Sequence, residues 1–464
     1  MDSNSFPRWT TASIILIPVI ATSCSVTASE TSAGTEANAT QSGDDWPQFL
    51  GPSSDSKSTE RGIITDWSSG PRVVWHLPLG PSYGSCSISR GRCFVFDRVP
   101  DSTKARARCV DSKSGEFIWD YHYPTAFEDL YEYNNGPRCC PVVDDDRVYL
   151  YGAEGRLTCL NATDGQLVWE LDVQDEFGVV QNFFGVGSAP VVFGPLLLVM
   201  VGGSPADSHD LPPGALEQVE GNGSGVVAFD KLTGEVRYQL CDELASYSTI
   251  RIVKHLDRDW GFAFLRGGLV AFDPRSGQQD FAYPWRARIL ESVNASTPVI
   301  VGNQVFISET YGPGSSLLEF DTDGFKVVWK DGNQVRDKAM QTHWNTAIHH
   351  NGFLYGSSGR HTQNAELRCV DWKTGDVRWS QPGLSRASLL YVDEHFICLG
   401  EYGILLLIAA DPDEYRKVAA TRITLENQDK SMLEYPAWAA PILSHGLLYV
   451  RGNDKLVCLE LIRQ

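Results

Sequence analysis

Basic clusters are missing from this sequence. Its 464 residues carry a formal net charge of −19, and the lysines and arginines are scattered through it. Nucleic acid and anionic membrane surfaces are therefore excluded as partners, because each demands a local basic face. A phosphate-binding loop is also lacking: GVGSAP at 185–190 leads into a strand-like stretch, whereas phosphate cradles open a helix. There is no Gly-x-Ser-x-Gly elbow for a nucleophilic serine. Metal-ligand spacing is absent too. His349 and His350 are adjacent and point to opposite faces of a strand, while His343 and Asn345 share a face without a third ligand. No metal site is expected on these grounds.

The apolar run at 12–21, preceded by Arg8, is too short to cross a membrane and fits a secretory leader over residues 1–28. Two ends of the leader remain open. Cys24, behind Ala21, Thr22 and Ser23, suits lipid attachment but lacks the usual Leu three positions earlier; cleavage after Ala28, with Val26 upstream, is the other. Contact with a membrane enters only through lipidation at Cys24. Residues 25–45 are rich in Ser, Thr, Ala and Gly, which predicts a disordered tether, and 46–464 remain for the folded domain.

What the chain has is repetition. CVDSKSGEFIW (109–119), CLNATDGQLVW (159–169), AFDKLTGEVRY (228–238) and CVDWKTGDVRW (369–379) share one phrase, with weaker copies at 271–281 and 319–329. A degenerate copy at 408–415 lacks the Gly, and CLEL from Cys458 ends before its turn. Each phrase predicts a strand ending near the acid, a tight turn with positive φ at Gly, and a strand whose aromatic faces a neighbour. A second recurrence precedes it: small-residue starts at Ser85, Cys139, Ser188, Ser248, Ser296, Asn345, Ala387 and Ala439 open two short apolar strands. Eight units at roughly 42 to 60 residue spacing, with four strands each, predict an all-β, eight-bladed propeller. The last unit lacks an outer strand, and GPRVVWHLPLG (70–80) resembles an isolated one. The N-terminal strand is therefore expected to complete the C-terminal blade and close the ring.

Of the 11 cysteines, Cys109, Cys159, Cys369 and Cys458 take the position of Ala228 and Ala271 in sister copies, which makes them buried packing residues. Long connections gather on one face of the predicted ring. They are residues 120–136 with Tyr121, Tyr123, Phe127, Tyr131 and Tyr133, then 172–187 and 204–224. Loops on a rigid scaffold are where recognition concentrates, so this face is the expected binding face.

The phrase with its terminal Trp resembles the tryptophan-docking repeat of pyrroloquinoline quinone (PQQ)-type propellers. The opening DDWPQFLGPSSD (44–55) is similar to exported PQQ-like repeat proteins of planctomycete bacteria. That superfamily holds quinoprotein alcohol dehydrogenases and the non-catalytic lipoprotein of the outer-membrane barrel-assembly machine. The resemblance is specific for fold and leaves function open. It implies periplasmic or outer-envelope localisation, possession of a binding or scaffold role without catalysis, and a protein or polymer partner at the long-loop face.

Two alternatives stand beside that reading. A carbohydrate-binding propeller would use the Tyr-rich loop. A quinoprotein alcohol dehydrogenase would hold PQQ with Ca²⁺ at the channel mouth, where register places Arg138, Cys139, Cys140, Asn294, His343, Arg386 and Trp438, with Trp344, Asn345 and Tyr435 nearby. Two guanidinium groups, amides and aromatics suit a planar anionic cofactor by bidentate hydrogen bonds and stacking. Those dehydrogenases carry a disulfide between adjacent cysteines against their quinone, which Cys139 and Cys140 would match. The sister-blade residues Ser188, Ala189, Ser296 and Thr297 give the other reading, a slot for small residues. Glu309, Glu401 and Asn294 are the oxygen donors available for calcium, and they do not complete the family's ligand set. No cofactor is the expectation on this balance.

Overall fold

A computed structural model describes residues 43–332, 337–424 and 430–463. The leader over 1–28, Cys24 within it, and the tether up to residue 42 lie outside the described residues.

The chain forms eight four-stranded antiparallel sheets, each built from consecutive strands except the last. Blade 1 is Ser87–Ser89, Arg92–Arg98, Lys104–Asp111 and Phe117–Pro124; blade 2 is Val142–Asp144, Arg147–Tyr151, Arg156–Asn161 and Leu167–Asp172. Blades 3 to 6 begin at Val191, Arg251, Val299 and Ile348. Blade 7 is Ala387–Val392, His395–Gly400, Ile404–Ala409 and Lys417–Arg422. Blade 8 takes Ile442–Ser444, Leu447–Arg451 and Lys455–Glu460 from the C-terminal end and Val73–Pro78 from the N-terminal side. Trp75 pairs with Cys458 in that outer strand, so the ring closes as the sequence predicts.

The repeated phrase works through three contacts. Its acid caps the turn: Asp111 Oδ1 accepts from the N–H groups of Lys113 and Ser114 at 3.0 and 2.8 Å, and Asp371 does the same for Lys373 and Thr374. Its Gly sits at φ 73° at position 115, and a Cβ there would come within 2.8 Å of the Trp75 ring, so both backbone and neighbour require glycine. Its aromatic pins the next blade. Trp75 Nε1 donates to Ser112 O at 3.0 Å, Trp119 to Ala162 O at 3.1 Å, Trp169 to Lys231 O at 3.2 Å, Trp329 to Trp372 O at 2.9 Å and Trp379 to Asp411 O at 2.9 Å. Tyr238 makes the same bond to Pro274 O through its hydroxyl.

Two boundaries depart from the pattern. Between blades 4 and 5, Phe281 stacks on Phe325 at 4.9 Å without a hydrogen bond. Between blades 7 and 8, Ala419 occupies the aromatic position, opposite Leu407. Here the segment preceding the closing strand fills in. Trp67 and Ile63, both buried, pack in one cluster with Leu405, Leu407, Leu459 and Leu461. That segment lies across the hairpin turns of the ring: Val143 N–H donates to Pro47 O, Ser58 N–H to Tyr391 O, Gly62 N–H to Asp393 Oδ2 and Ile64 N–H to Leu461 O. Asp44 and Asp45, assigned to the tether by composition, belong to this strap; Ser444 Oγ donates to Asp44 O and Arg90 N–H to Asp45 Oδ2. The innermost strands, most of them three residues long, and the three strands outside each leave the opposite face to the longer connections.

Candidate functional site

The long-loop face is floored by aromatic side chains set just ahead of the innermost strands. Trp438, before blade 8, contacts Trp344, before blade 6, at a ring-centroid distance of 4.6 Å, and Tyr83, before blade 1, at 4.8 Å. His343 packs on Trp344 at 5.0 Å and on Tyr311 at 5.7 Å. Tyr133 contacts both Trp438 and Phe184, and Phe184 contacts Tyr247 at 5.6 Å, so one aromatic chain links seven of the eight blades. Around it stands an exposed rim: Tyr131, Tyr133, Tyr402 and Tyr435 are 47%, 62%, 47% and 48% exposed.

Both arginines singled out by the sequence are committed to buried carboxylates. Arg386 meets Glu401 through Nε and Nη2, the latter at 2.6 Å, and its guanidinium lies 4.5 Å from the Trp344 ring and 5.2 Å from Trp438. Glu401 also accepts from Trp438 Nε1 at 3.1 Å and Thr362 Oγ1 at 2.8 Å. Burial pushes the Glu401 carboxyl up, but the hydrogen bonds from Arg386, Trp438 and Thr362 outweigh it and hold the group below its ordinary value. Arg138 pairs with the fully buried Asp129 and donates to Asn134 O at 2.7 Å. Each guanidinium therefore stabilises an internal charge.

The remaining predicted residues divide. His343 belongs to the floor; burial and then the charges of Arg386 and Arg360 push its pKa down to about 3, so it is a neutral imidazole. Asn294 is a fully buried staple whose Nδ2 donates to Leu265 O at 2.7 Å and Trp285 O at 3.0 Å. Cys139 and Cys140 are free thiols, each 2% exposed, and the disulfide implied by the dehydrogenase resemblance is not formed. The small-residue slot explains them. Cys139 Sγ donates to Ser188 O in the next blade at 3.1 Å, and at the position of Cys140 the sister blades link laterally, Ala189 N–H to Thr249 Oγ1 and Thr249 N–H to Thr297 Oγ1. Burial raises the Cys140 thiol to about 12.

The residues present do not fit the quinone arrangement. That arrangement needs an open Trp438 face opposite the Cys139–Cys140 pair and two arginines free to anchor the ring. Trp438 instead touches Tyr83 and Trp344 directly, and both anchoring arginines are neutralised. The proposed calcium donors are occupied as well: Glu309 accepts from Ser292 Oγ at 2.8 Å and Gly312 N–H at 3.1 Å, and Glu401 from Arg386. Among the described residues no three His, Cys, Asp or Glu side chains group as a metal site.

The loop at 120–136 is shorter than its composition predicts. Tyr121 and Tyr123 lie in the outer strand Phe117–Pro124, on the inward face with Trp119, and Tyr123 is buried with its hydroxyl on Glu154 at 2.7 Å. The period-two spacing of the three aromatics is the signal for this. Sequence reasoning also passed over Asp129, Tyr83 and Asn453; nothing in a single sequence pairs Arg138 with an acid nine positions earlier in a loop.

Residues 103–381 match the family described as outer membrane protein assembly factor BamB, which is more than half of the chain. The chain belongs to that family. BamB from Moraxella catarrhalis superposes with a TM-score of 0.56 at 11% identity, covering 85% of this chain and 98% of that one. Quinohemoprotein alcohol dehydrogenase from Comamonas testosteroni superposes at 0.59 with 13% identity, covering 92% and 82%. These likenesses establish the fold. In sequence, the dehydrogenase subunit of a quinone alcohol dehydrogenase from Komagataeibacter europaeus is 25% identical over 181 residues, 36% of this chain and 21% of that protein. The match therefore spans about a fifth of that relative.

Proposed function

We propose that this protein is a non-catalytic binding or scaffold protein of the cell envelope, exported and displaying its long-loop face to a protein or polymer partner. One observation carries the reading. The groups suited to gripping an anionic cofactor are turned inward, Arg386 on Glu401 and Arg138 on Asp129, while four tyrosines stand exposed at the rim. Charges neutralised inside a face make it rigid, and exposed tyrosines give it contact area at little entropic cost. The family description, outer membrane protein assembly factor, supports an envelope location. No helix of the described residues is long and apolar enough to cross a membrane.

Two measurements test this together. Purified protein is titrated with PQQ and Ca²⁺ by absorbance and calorimetry, then assayed for dye-linked alcohol oxidation; neither saturable binding nor turnover is expected. A photo-crosslinking residue placed at Tyr435 in the native host should capture an envelope component that the same residue at Arg90, on the turn face, does not. Saturable quinone binding with alcohol-dependent dye reduction overturns the reading in favour of the dehydrogenase.

A further inference from the structure

A cleft of 710 Å³ opens on the long-loop face between blades 1 and 8. Its walls come from the connection 99–103 between two strands of blade 1, the segment 133–135 leading to blade 2, and Asn453 in the equivalent connection of blade 8. The volume is that of a small-ligand site. We propose that this cleft binds a neutral saccharide, as part of a longer polymer running over the tyrosine rim. The assignment rests on the reading of this face as a non-catalytic binding surface and names the chemical class of its partner.

The lining selects for hydroxyl groups by elimination and by fit. Arg98, the cation in the lining, is tied to the backbone: Nε donates to Ser102 O at 2.9 Å, and Nη1 to Phe127 O at 2.8 Å and Asn135 O at 3.1 Å. Those bonds hold the guanidinium against the wall, and the net charge of −19 opposes an anionic polymer. Lipid is disfavoured because five of the ten lining residues, Asn134, Asn135, Asn453, Ser102 and Thr103, present amides or hydroxyls.

The amides are oriented by the backbone. Asn134 Oδ1 accepts from Gly136 N–H at 2.7 Å, and Asn135 Oδ1 accepts from Asp129 N–H at 2.9 Å, which fixes both flips. Their Nδ2 groups make no hydrogen bond among the described residues, both residues line the cleft, and Asn134 is itself only 8% exposed. Two fixed donors thus share the cleft lining with Asp101, an acceptor, and the Asn453 amide supplies one of each; vicinal hydroxyls both give and take hydrogen bonds and match this set.

Tyr133 supplies the other half of sugar recognition. It is 62% exposed, and its ring is braced by Tyr131 at 6.4 Å, Phe184 at 6.0 Å and Trp438 at 6.4 Å. An upright, pre-positioned ring offers its face to the apolar C–H surface of a pyranose without paying to order itself. Beyond it, Tyr435 and the Tyr402 ring stacked on it at 5.0 Å continue the track. Asp101 is the carboxylate of the lining, and glycoside hydrolysis requires a facing pair, so the site binds without cleaving.

Affinity electrophoresis of the full protein through gels containing laminarin, hydroxyethylcellulose, galactomannan or dextran, with polygalacturonate as the anionic arm, tests the proposal. Retardation by at least one neutral polymer is expected, unchanged by added salt, with affinity reduced about tenfold in Tyr133→Ala and in Asn453→Ala at an unaltered melting temperature. Retardation by no neutral polymer, by polygalacturonate alone, or equally in the variants would overturn it. If the Tyr435 crosslink persists while no neutral polymer retards the protein, the saccharide assignment fails and the scaffold reading stands; quinone binding removes both.

Discussion

The two faces of this ring use the same side chains in opposite ways. On the turn face, Trp46 and Trp67 of the strap are 2% and 5% exposed, and the outer-strand residues Trp75, Trp119, Trp169 and Trp329 are locked against glycine turns. On the long-loop face, Tyr131, Tyr133, Tyr402 and Tyr435 stand in solvent at 47% exposure or more. The backbone partner decides which role an aromatic takes. Where a neighbouring blade offers a turn carbonyl and a glycine without a Cβ, an indole docks and contributes stability. Where the connections carry no such repeat, the ring is held only by other rings and remains available. The difference teaches that the repeat phrase builds the scaffold, and that the residues outside the phrase carry whatever is particular to this protein.

The strongest way to break that contrast is Trp75→Ala. Trp75 closes the ring: it holds the N-terminal strand to Cys458 in blade 8 and reaches Ser112 and Gly115 in blade 1. Truncating it should cost about 3–5 kcal/mol, the usual range for a buried tryptophan. Urea unfolding of the variant checks this, and a loss below about 1 kcal/mol would mean that the strap alone secures closure.

A smaller effect comes from beneath the loop face. Glu309 is 1% exposed, and burial, opposed by bonds from Ser292 and the backbone N–H groups of Tyr311 and Gly312, leaves its pKa pushed up to about 7. The native state then binds its proton more tightly than the unfolded chain, where the group titrates near 4.5. Stability from this group is complete below about pH 4.5 and is lost as pH rises through about 7, a difference on the order of 3 kcal/mol. Glu309→Gln should flatten the fall in melting temperature between pH 5 and 8. An unchanged slope would place the titrating group elsewhere.

Most of the fold was legible because repetition averages over local noise: eight copies of a small-residue start and a turn phrase leave four strands per unit and one missing strand, and Val73–Pro78 supplies it. The strap was not legible, since residues 46–67 belong to no repeat and their partners, such as Tyr391 and Leu461, are hundreds of positions away. At the mouth, register brought Arg386, His343, Trp344 and Trp438 together correctly, because it fixes which side chains precede an innermost strand. It misjudged their state, because charge pairing is a property of facing loops. Glu401, an available oxygen donor for calcium under the dehydrogenase alternative, is the counter-ion of Arg386. Sister blades were the better guide at Cys139, where Ser188 and Ser296 had already marked a small-residue slot.

The smallest effect sharpens the comparison most. Replacing Tyr402 and Tyr435 together by alanine removes two large rings from the rim, yet both are about half exposed and stack chiefly on each other. Their loss should change stability by less than about 0.5 kcal/mol each, as for surface substitutions generally. An aromatic pair that stability does not need, stacked beside Trp438, is available to the partner proposed for this face. Crosslinking from the neighbouring Tyr133 position in the double variant reads that meeting directly. Loss of capture at unchanged melting temperature assigns the pair to the partner, whereas a melting temperature that falls as far as in Trp75→Ala would make these tyrosines structural and erase the distinction between the two faces.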